Sequence, residues 1–447
     1  MTTSKPNVIF FFTDQQRWDT SSLFGNPMNL TPNFDRMAME GTHCYNTTTC
    51  QPVCLPARMS LQTGKYPSQM NCYDNNAALK NDEETIGHLF QKEGYRTSYI
   101  GKWHMSHDEP VPPEQRTGYD DWLGSNLLEF VTDAYDTKLW DNDGNEARLP
   151  GYRVDGQTDA AIRYIDEQKD NPFFLFCSYI EPHFQNTRDD YPAPTGYEEK
   201  YMNHWIPPDL RSLVGTSPQH LPGYYGMVKR LDEALGRMLD ALKSLNLLEN
   251  TIIVYSTDHG CHFKTRNSEY KRSCHDSSIR IPLAFSGPGF KSGGRLQEMI
   301  SLIDIPPTLL DACNINVPDS MQGRSILPLT KGRVEDWPEE TYTEMYDTHL
   351  SRCVRTHRWK YSIKNIQPGI NPDAAWEFEE DCLYDLMADP YELSNRIGLN
   401  AYRDVSDVMK SRLVRRMIQT GEKEPKIINA PSIASGQKVI KESEIYL

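Results

Sequence analysis

A cysteine at position 54 stands two residues before a proline and four before an arginine, in the run Cys54-Leu55-Pro56-Ala57-Arg58. The proline suits a first helical turn. The arginine falls at helical spacing, so its guanidinium reaches the face the cysteine occupies. A nucleophile at a helix N-terminus beside a guanidinium is equipped to hold an anion. Four apolar runs then end in residues of catalytic type. Residues 8–12 lead into Thr13-Asp14-Gln15, and 96–100 into Gly101-Lys102-Trp103-His104. Residues 173–180 lead into Glu181-Pro182-His183, and 251–256 into Thr257-Asp258-His259-Gly260. In open α/β sheets, ligands bind beyond the carboxyl ends of the strands. Separate segments could thus bring the two acids Asp14 and Asp258, the amide Gln15, three histidines and Lys102 to one crevice.

The elements that must position these groups follow from pattern. Val8 to Phe12 is apolar throughout and reads as a strand buried on both faces. Further strands are expected at 96–100, 173–180, 251–256 and 282–285. Thr31-Pro32 opens a helix that Gly41 stops. Helices are also expected at 84–92, 158–169, 224–245 and 305–313. In the 224–245 helix, Met227, Leu231, Leu235, Leu239 and Leu242 form one stripe. Alternating strands and helices imply an α/β fold. Residues 184–222, rich in Pro, Tyr and Asp, read as an excursion over the site, and its 191–205 stretch as either a sugar-facing wall or loop packing. Past about residue 335 the character changes. Residues 341–343 and 358–363 read as antiparallel strands, 404–419 as a helix, and 421–447 as a polar tail.

The 447 residues carry 47 Lys plus Arg against 62 Asp plus Glu, a net charge of −15. That balance disfavours nucleic acid as a partner. The 38% hydrophobic content is enough for a large core. The 10 cysteines are irregularly spaced for a disulfide framework, which points to reduced thiols and a cytoplasmic location. Cys44, Cys50 and Cys54 lack the second cluster of a zinc site. No run reaches the ~18 apolar residues of a membrane helix. His107, His204 and His220 read as surface histidines.

Cys54-Leu55-Pro56-Ala57-Arg58, Gly101-Lys102-Trp103-His104 and the closing segment Leu383-Tyr384-Asp385-Leu386 with Asp389-Pro390, Glu392 and Asn395 resemble the type I sulfatases of the alkaline phosphatase superfamily. The likeness runs from Asn7 to about Asn395. It implies a large mixed, mostly parallel sheet flanked by helices over 1–335, and a smaller α+β subdomain with an antiparallel sheet over 336–447. It also implies that Cys54 is oxidised to formylglycine by a formylglycine-generating enzyme. The hydrated aldehyde attacks sulfur, the alcohol departs, and the second hydroxyl expels sulfate. Asp14, Gln15, Asp258 and His259 match the metal positions, with the converted Cys54 completing the shell. Oxygen ligands suit calcium, although His259 stands where many members have Asn. Arg58, Lys102, His104, His183 and Lys271 match the remaining catalytic positions. His183 is the candidate acid for the leaving group, and His104 is the base on the diol. His275 departs from the family's usual Tyr-Glu pair and borders the pocket. His349, Arg352 and His357 are further candidates for contact with substrate. A sulfated glycan fragment is the first expected substrate. Choline or aryl sulfate esters, and a phosphonate monoester or phosphodiester activity, are the alternatives, beside a non-catalytic binding protein of the same fold. A homo-oligomer is compatible with the sequence.

Overall fold

Every residue of Asn7–Thr13 is buried, as a strand covered on both faces requires. This strand, β1, lies inside a ten-stranded sheet of a computed structural model that describes residues 5–202, 205–291, 294–333, 336–367, 375–436 and 438–447. The other strands are β2 Thr42–Thr48, β3 Arg96–Lys102, β4 Asp121–Ser125, β5 Thr137–Trp140, β6 Glu146–Leu149, β7 Phe173–Ser178, β8 Thr251–Thr257, β9 Ala284–Ser286 and β10 Gly294–Ser301. Their order is β10-β2-β9-β8-β1-β7-β3-β4-β5-β6. From β8 to β4 all neighbours are parallel. β9 runs antiparallel between β8 and β2, and β5 and β6 form an antiparallel edge.

The alternation of a strand divides the core in two. Val8, Phe10 and Phe12 face a layer containing Leu55, Leu61, Phe90 and Leu309. Ile9 and Phe11 face Phe34, Ile165, Leu231 and Leu235. The first layer is built by α2 Cys54–Thr63, α3 Ile86–Lys92 and the helix Ile305–Ala312. The second is built by α1 Pro32–Glu40 and the helices Arg153–Glu167 and Ser217–Ser244. A second sheet follows, ordered β11-β12-β13-β14-β15, with β11 Thr341–Met345, β12 Ser351–Arg355, β13 Trp359–Asn365, β14 Glu377–Asp385 and β15 Lys426–Ile428. β11 to β14 are antiparallel, and β15 joins β14 in parallel. The helix Arg403–Gln419 packs on this sheet through Val405, Met409 and Leu413. The α/β architecture and the C-terminal antiparallel sheet are those expected. The expected boundary falls beside residue 335, outside the described residues.

Differences arise where polar composition hides burial. β2, Thr-His-Cys-Tyr-Asn-Thr-Thr, has no apolar alternation yet is almost wholly buried. The long helix begins at Ser217, with Pro218 in its first turn, so the excursion is shorter than its composition suggests. Within the excursion, Tyr191 and Tyr201 pack against Tyr224 and Tyr225 in a separate core. His220 is 5% exposed and sits between the rings of Tyr191 and Tyr270, which corrects the surface reading. His107 is exposed, and His204 lies outside the described residues. All ten cysteines are free and buried. No helix among the described residues is long and apolar enough to cross a membrane.

Gly101 marks where β3 turns toward the site. Its φ is +111°, and a Cβ there would lie 2.0 Å from the Ser178 carbonyl oxygen of β7. Gly101→Ala is therefore expected to cost about 3 kcal/mol, read as a lower midpoint in urea or thermal unfolding.

Candidate active site

The carboxyl ends of β1, β3, β7 and β8 converge on Cys54, the first residue of α2. A helix N-terminus leaves backbone N–H groups without partners. Here the Leu55 N–H donates to Asn75 Oδ1 at 3.1 Å. Beyond β1, Gln15 takes φ +66°, and beyond β3, His104 takes φ +60°. These left-handed residues turn the chain sharply enough for consecutive side chains to serve one pocket.

Asp14 is buried and accepts from Arg58 Nη2 and Lys102 Nζ, each at 2.9 Å. Arg58 Nη1 donates to Ser178 Oγ at 2.8 Å and to the Lys102 carbonyl at 3.0 Å. Its Nε lies 3.4 Å from Asp258 Oδ2. Lys102 also donates to Glu129 Oε1 at 2.8 Å. The expected helical reach of Arg58 is thus realised, but its fork serves Asp14 and the strand ends.

Lys271 approaches from the opposite side. Its Nζ lies 2.7 Å from Cys54 Sγ, 3.0 Å from His259 Nε2 and 3.3 Å from His183 Nε2. Among the described residues this buried ammonium contacts a sulfur and two imidazoles but no carboxylate. His259 Nδ1 faces the Gly260 carbonyl at 2.9 Å, and His183 Nδ1 the Phe184 carbonyl at 2.7 Å. Each Nδ1 therefore carries the donated proton, and each Nε2 lone pair points into the pocket. His104 favours the ionised form of the Cys54 sulfur, while its own Nδ1 is buried without a partner.

Charge sets the protonation states. Burial raises the Cys54 thiol, but Lys271, Lys102 and His259 outweigh burial and hold it well below its ordinary range. Burial also raises Asp14, and Lys102, His183 and Arg58 hold its carboxyl below the usual range. Asp258 is pushed up to about 6, first by burial and then by the charge of Asp14. Burial drives His104 down, which favours a neutral imidazole.

Asp14, Cys54, Asp258 and His259 each present a ligand atom within 4.8 Å of the others. Gln15 Oε1 and Asp258 Oδ2 are buried without hydrogen-bond partners. The Gln15 amide is oriented by Nε2, which donates to Tyr191 Oη at 3.0 Å and leaves Oε1 free. Two crowded carboxylates and orphaned oxygens fit a hard divalent cation.

Asp14, Cys54, Arg58, Lys102, His104, His183, Asp258, His259 and Lys271 thus meet in one place, with Gln15 beside them. Arg352 does not join them. It is buried in the C-terminal sheet and chelated by Glu422 at 2.6–3.0 Å, so it is not open to a substrate. His275 is half-buried against Tyr384 Oη and Ser273 Oγ. His349 is exposed beside Thr348, whose hydroxyl donates to the Arg272 carbonyl. His357 sits 3.3 Å from Asn46 Nδ2. Glu129 and Asn75 were not anticipated. A buried lysine at a strand end demands a carboxylate, but nothing in sequence says that residue 129 supplies it.

The sulfatase family model matches residues 6–315, and a model described as the C-terminal part of N-sulphoglucosamine sulphohydrolase matches residues 268–419. The chain is similar to an ulvan-active sulfatase of Formosa agariphila, 29% identical over 442 residues, covering 94% of this chain and 82% of that protein. It is similar to an N-acetylglucosamine-6-O-sulfatase of Bacteroides thetaiotaomicron, 27% identical over 484 residues, covering 90% and 84%. It shares the fold of the solved yidJ sulfatase of Bacteroides fragilis, with a TM-score of 0.81 at 24% identity, covering 94% and 97%. The chain belongs to the sulfatase family.

Glu129→Gln keeps the shape beside Lys102 and removes the charge. Stability is expected to fall by about 1.5–3 kcal/mol in urea unfolding. Sulfate-ester turnover is expected to fall about tenfold or more, as Lys102 shifts toward Asp14.

Proposed function

We propose that this member of the sulfatase family removes sulfate from a small organic or carbohydrate sulfate ester, first of all a sulfated glycan fragment, at a formylglycine made from Cys54. The observation that carries the reading is Lys271, whose buried ammonium stands 2.7 Å from the Cys54 sulfur without a carboxylate partner. With Lys102, Arg58 and His183 it forms a cationic wall around one nucleophile. Such a wall is matched to a tetrahedral monoanion and to charge that grows in its transition state.

The oxidised side chain, once formed by a maturation enzyme, would supply a hydrate, one oxygen of which displaces the alcohol from sulfur, and its second hydroxyl, on losing its proton, would expel sulfate and restore the aldehyde. The remaining steps fall to the chain's own residues. Lys271 and Lys102 hold sulfate oxygens, and Arg58, engaged by Asp14 and Ser178, adds positive charge from behind them. His183 presents Nε2 toward the leaving side and, when protonated there, gives the departing alcohol its proton. His104, kept neutral by burial, accepts a proton at the nucleophile. Asp14, Gln15, Asp258 and His259 would hold a divalent cation, first of all calcium, which when bound polarises the nucleophile and sulfate oxygens.

Relatives named for ulvan and for N-acetylglucosamine-6-O-sulfate support the glycan choice. The net charge of −15 favours a small or partly degraded ester over a long polyanion. The ten unpaired thiols support a cytoplasmic setting.

Cys54→Ala is expected to abolish sulfate release from a panel of sulfated sugars, with the thermal midpoint within about 2 °C of the parent. Mass spectrometry of the parent's Cys54 peptide should show the aldehyde, lighter than the thiol. Sulfate release by the alanine variant would overturn the reading, and a higher kcat/KM on the matching phosphate diester would move it to the diesterases. Removal of divalent metal with a chelator should lower turnover at least about tenfold, and calcium should restore it more fully than magnesium, which demands stricter octahedral geometry. Full activity after exhaustive chelation would exclude a cationic cofactor.

A further inference from the structure

Lys271 reaches Cys54 from a loop, and that loop is gripped by the C-terminal sheet. Arg272, with φ +65°, turns the chain directly after the lysine. Ser273 Oγ lies 3.0 Å from Ser278 Oγ and closes the loop on itself. Ser278 belongs to the short helix Asp276–Ile279. The Asp276 carboxylate accepts Arg355 Nε at 3.0 Å and Nη2 at 2.9 Å, and it accepts Lys360 Nζ. Arg280 Nη1 lies 3.9 Å away. The Asp276 N–H donates to Glu392 Oε2 at 2.6 Å, and Lys360 pairs with Glu392 Oε1 at 2.6 Å. All four partners are nearly sealed from water, with side-chain exposures of 3% for Asp276 and Arg355, 0% for Lys360 and 1% for Glu392.

The same segment touches the pocket on both sides. The Gly260 N–H, next to His259, donates to the Ser278 carbonyl at 2.7 Å, and the Thr49 N–H donates to the Ile279 carbonyl at 2.8 Å. On its N-terminal side Lys271 is held by His262 and Asn267, which reach its carbonyl at 2.8 and 3.1 Å, and Asp276 anchors the chain that follows it. A buried, fully engaged ion cluster gives little net stability over apolar packing but enforces one geometry when intact. Arg355 supplies the bidentate fork that fixes direction as well as distance.

We propose that Asp276 is a positioning residue for Lys271: through it, Arg355 and Lys360 of the C-terminal sheet fix the loop that carries the ammonium into the sulfate pocket. The inference rests on the sulfate-ester reading, in which Lys271 holds sulfate. It assigns the C-terminal sheet a share in ligand affinity, although the sheet gives no side chain to the cluster around Cys54.

The test is calorimetric binding of inorganic sulfate to the full-length chain, with kcat and KM measured alongside. Asp276→Asn is expected to weaken sulfate at least tenfold and to raise KM more than it lowers kcat. Glu380→Gln supplies the control for stability alone. Glu380 is buried in the same sheet and pairs with Arg403 and Lys410, with no contact to the loop. It is expected to lower the thermal midpoint while leaving sulfate affinity within twofold. If Asp276→Asn does not accumulate as folded protein, Arg355→Lys keeps the charge and gives up the fork, and a threefold or greater loss of sulfate affinity is expected. Wild-type affinity in Asp276→Asn or Arg355→Lys, or an equal loss in Glu380→Gln, would overturn the proposal. A parent chain that binds sulfate and releases none from any ester overturns the hydrolase reading while the affinity ratio still decides on Asp276. A parent chain that binds no sulfate overturns both.

Discussion

Asp14 is the charge on which the site depends. A carboxylate wholly removed from water costs several kcal/mol unless its partners compensate it. Here Arg58 and Lys102 do so at 2.9 Å each. Through them β1, α2 and β3 are bound to one another, and Ser178 extends the tie to β7. The ion network that solves the desolvation problem is also the framework of the pocket. Glu129 and Asp258 supply further negative charge, so Arg58 and Lys102 are both held in place before any ligand arrives. Lys271 is the exception. Its close partner is the Cys54 sulfur rather than a carboxylate, so replacing that sulfur by a neutral group leaves the ammonium's charge for an anion.

The parallel sheet supplies the geometry. Five strands from β8 to β4 run the same way, so their carboxyl ends form one rim. β1 and β3 leave that rim through turns of restricted backbone. Gln15, Gly101 and His104 all have positive φ. Only Gly101 is free of steric cost there. Gln15 and His104 carry side chains into the pocket despite the cost, and the surrounding hydrogen bonds hold them. The Asp14 N–H donates to the Glu181 carbonyl at 3.2 Å, and the His104 N–H to the Asn126 carbonyl at 2.9 Å. Strain of this kind survives only where the neighbours over-determine it.

What could be read from the chain beforehand follows the same division. Strands β1, β3, β7 and β8 were legible because their apolar runs are continuous, and their last residues mark the pocket. α2 was legible because Pro56 and Arg58 fix its phase. β10 was not, because its first half is mostly polar and exposed and its buried run comes only in its second half, and β2 was not, because Thr, His and Asn dominate a strand whose side chains are buried by neighbours distant in sequence. Glu129 was invisible for the same reason: its partner Lys102 is 27 positions away. Arg352 misled because a buried arginine and a substrate-facing one look alike until Glu422 is seen to take two of its three nitrogens. His220 misled because polar flanking residues conceal the rings of Tyr191 and Tyr270.

The C-terminal sheet makes sense of one remaining feature, the distance in sequence between Cys54 and Lys271. Two loops that far apart must be brought to 2.7 Å by something rigid. The main sheet anchors the Cys54 side through Arg58 and meets the Lys271 side through the Gly260 and Thr49 N–H groups. On the Cys54 side β11 adds a second hold: the Glu344 N–H donates to the Cys50 carbonyl at 2.8 Å, and Thr343 Oγ1 to the Thr49 carbonyl at 2.9 Å. The Glu344 carboxylate then accepts from Ser68, just beyond α2. One sheet thus touches the segment before the nucleophile, the segment after its helix, and the loop opposite. A pocket that must match a tetrahedral anion gains from such a frame, because electrostatic stabilisation at contact range falls quickly with misplacement. The smaller sheet is therefore part of the machinery in a physical sense, through backbone and buried charge.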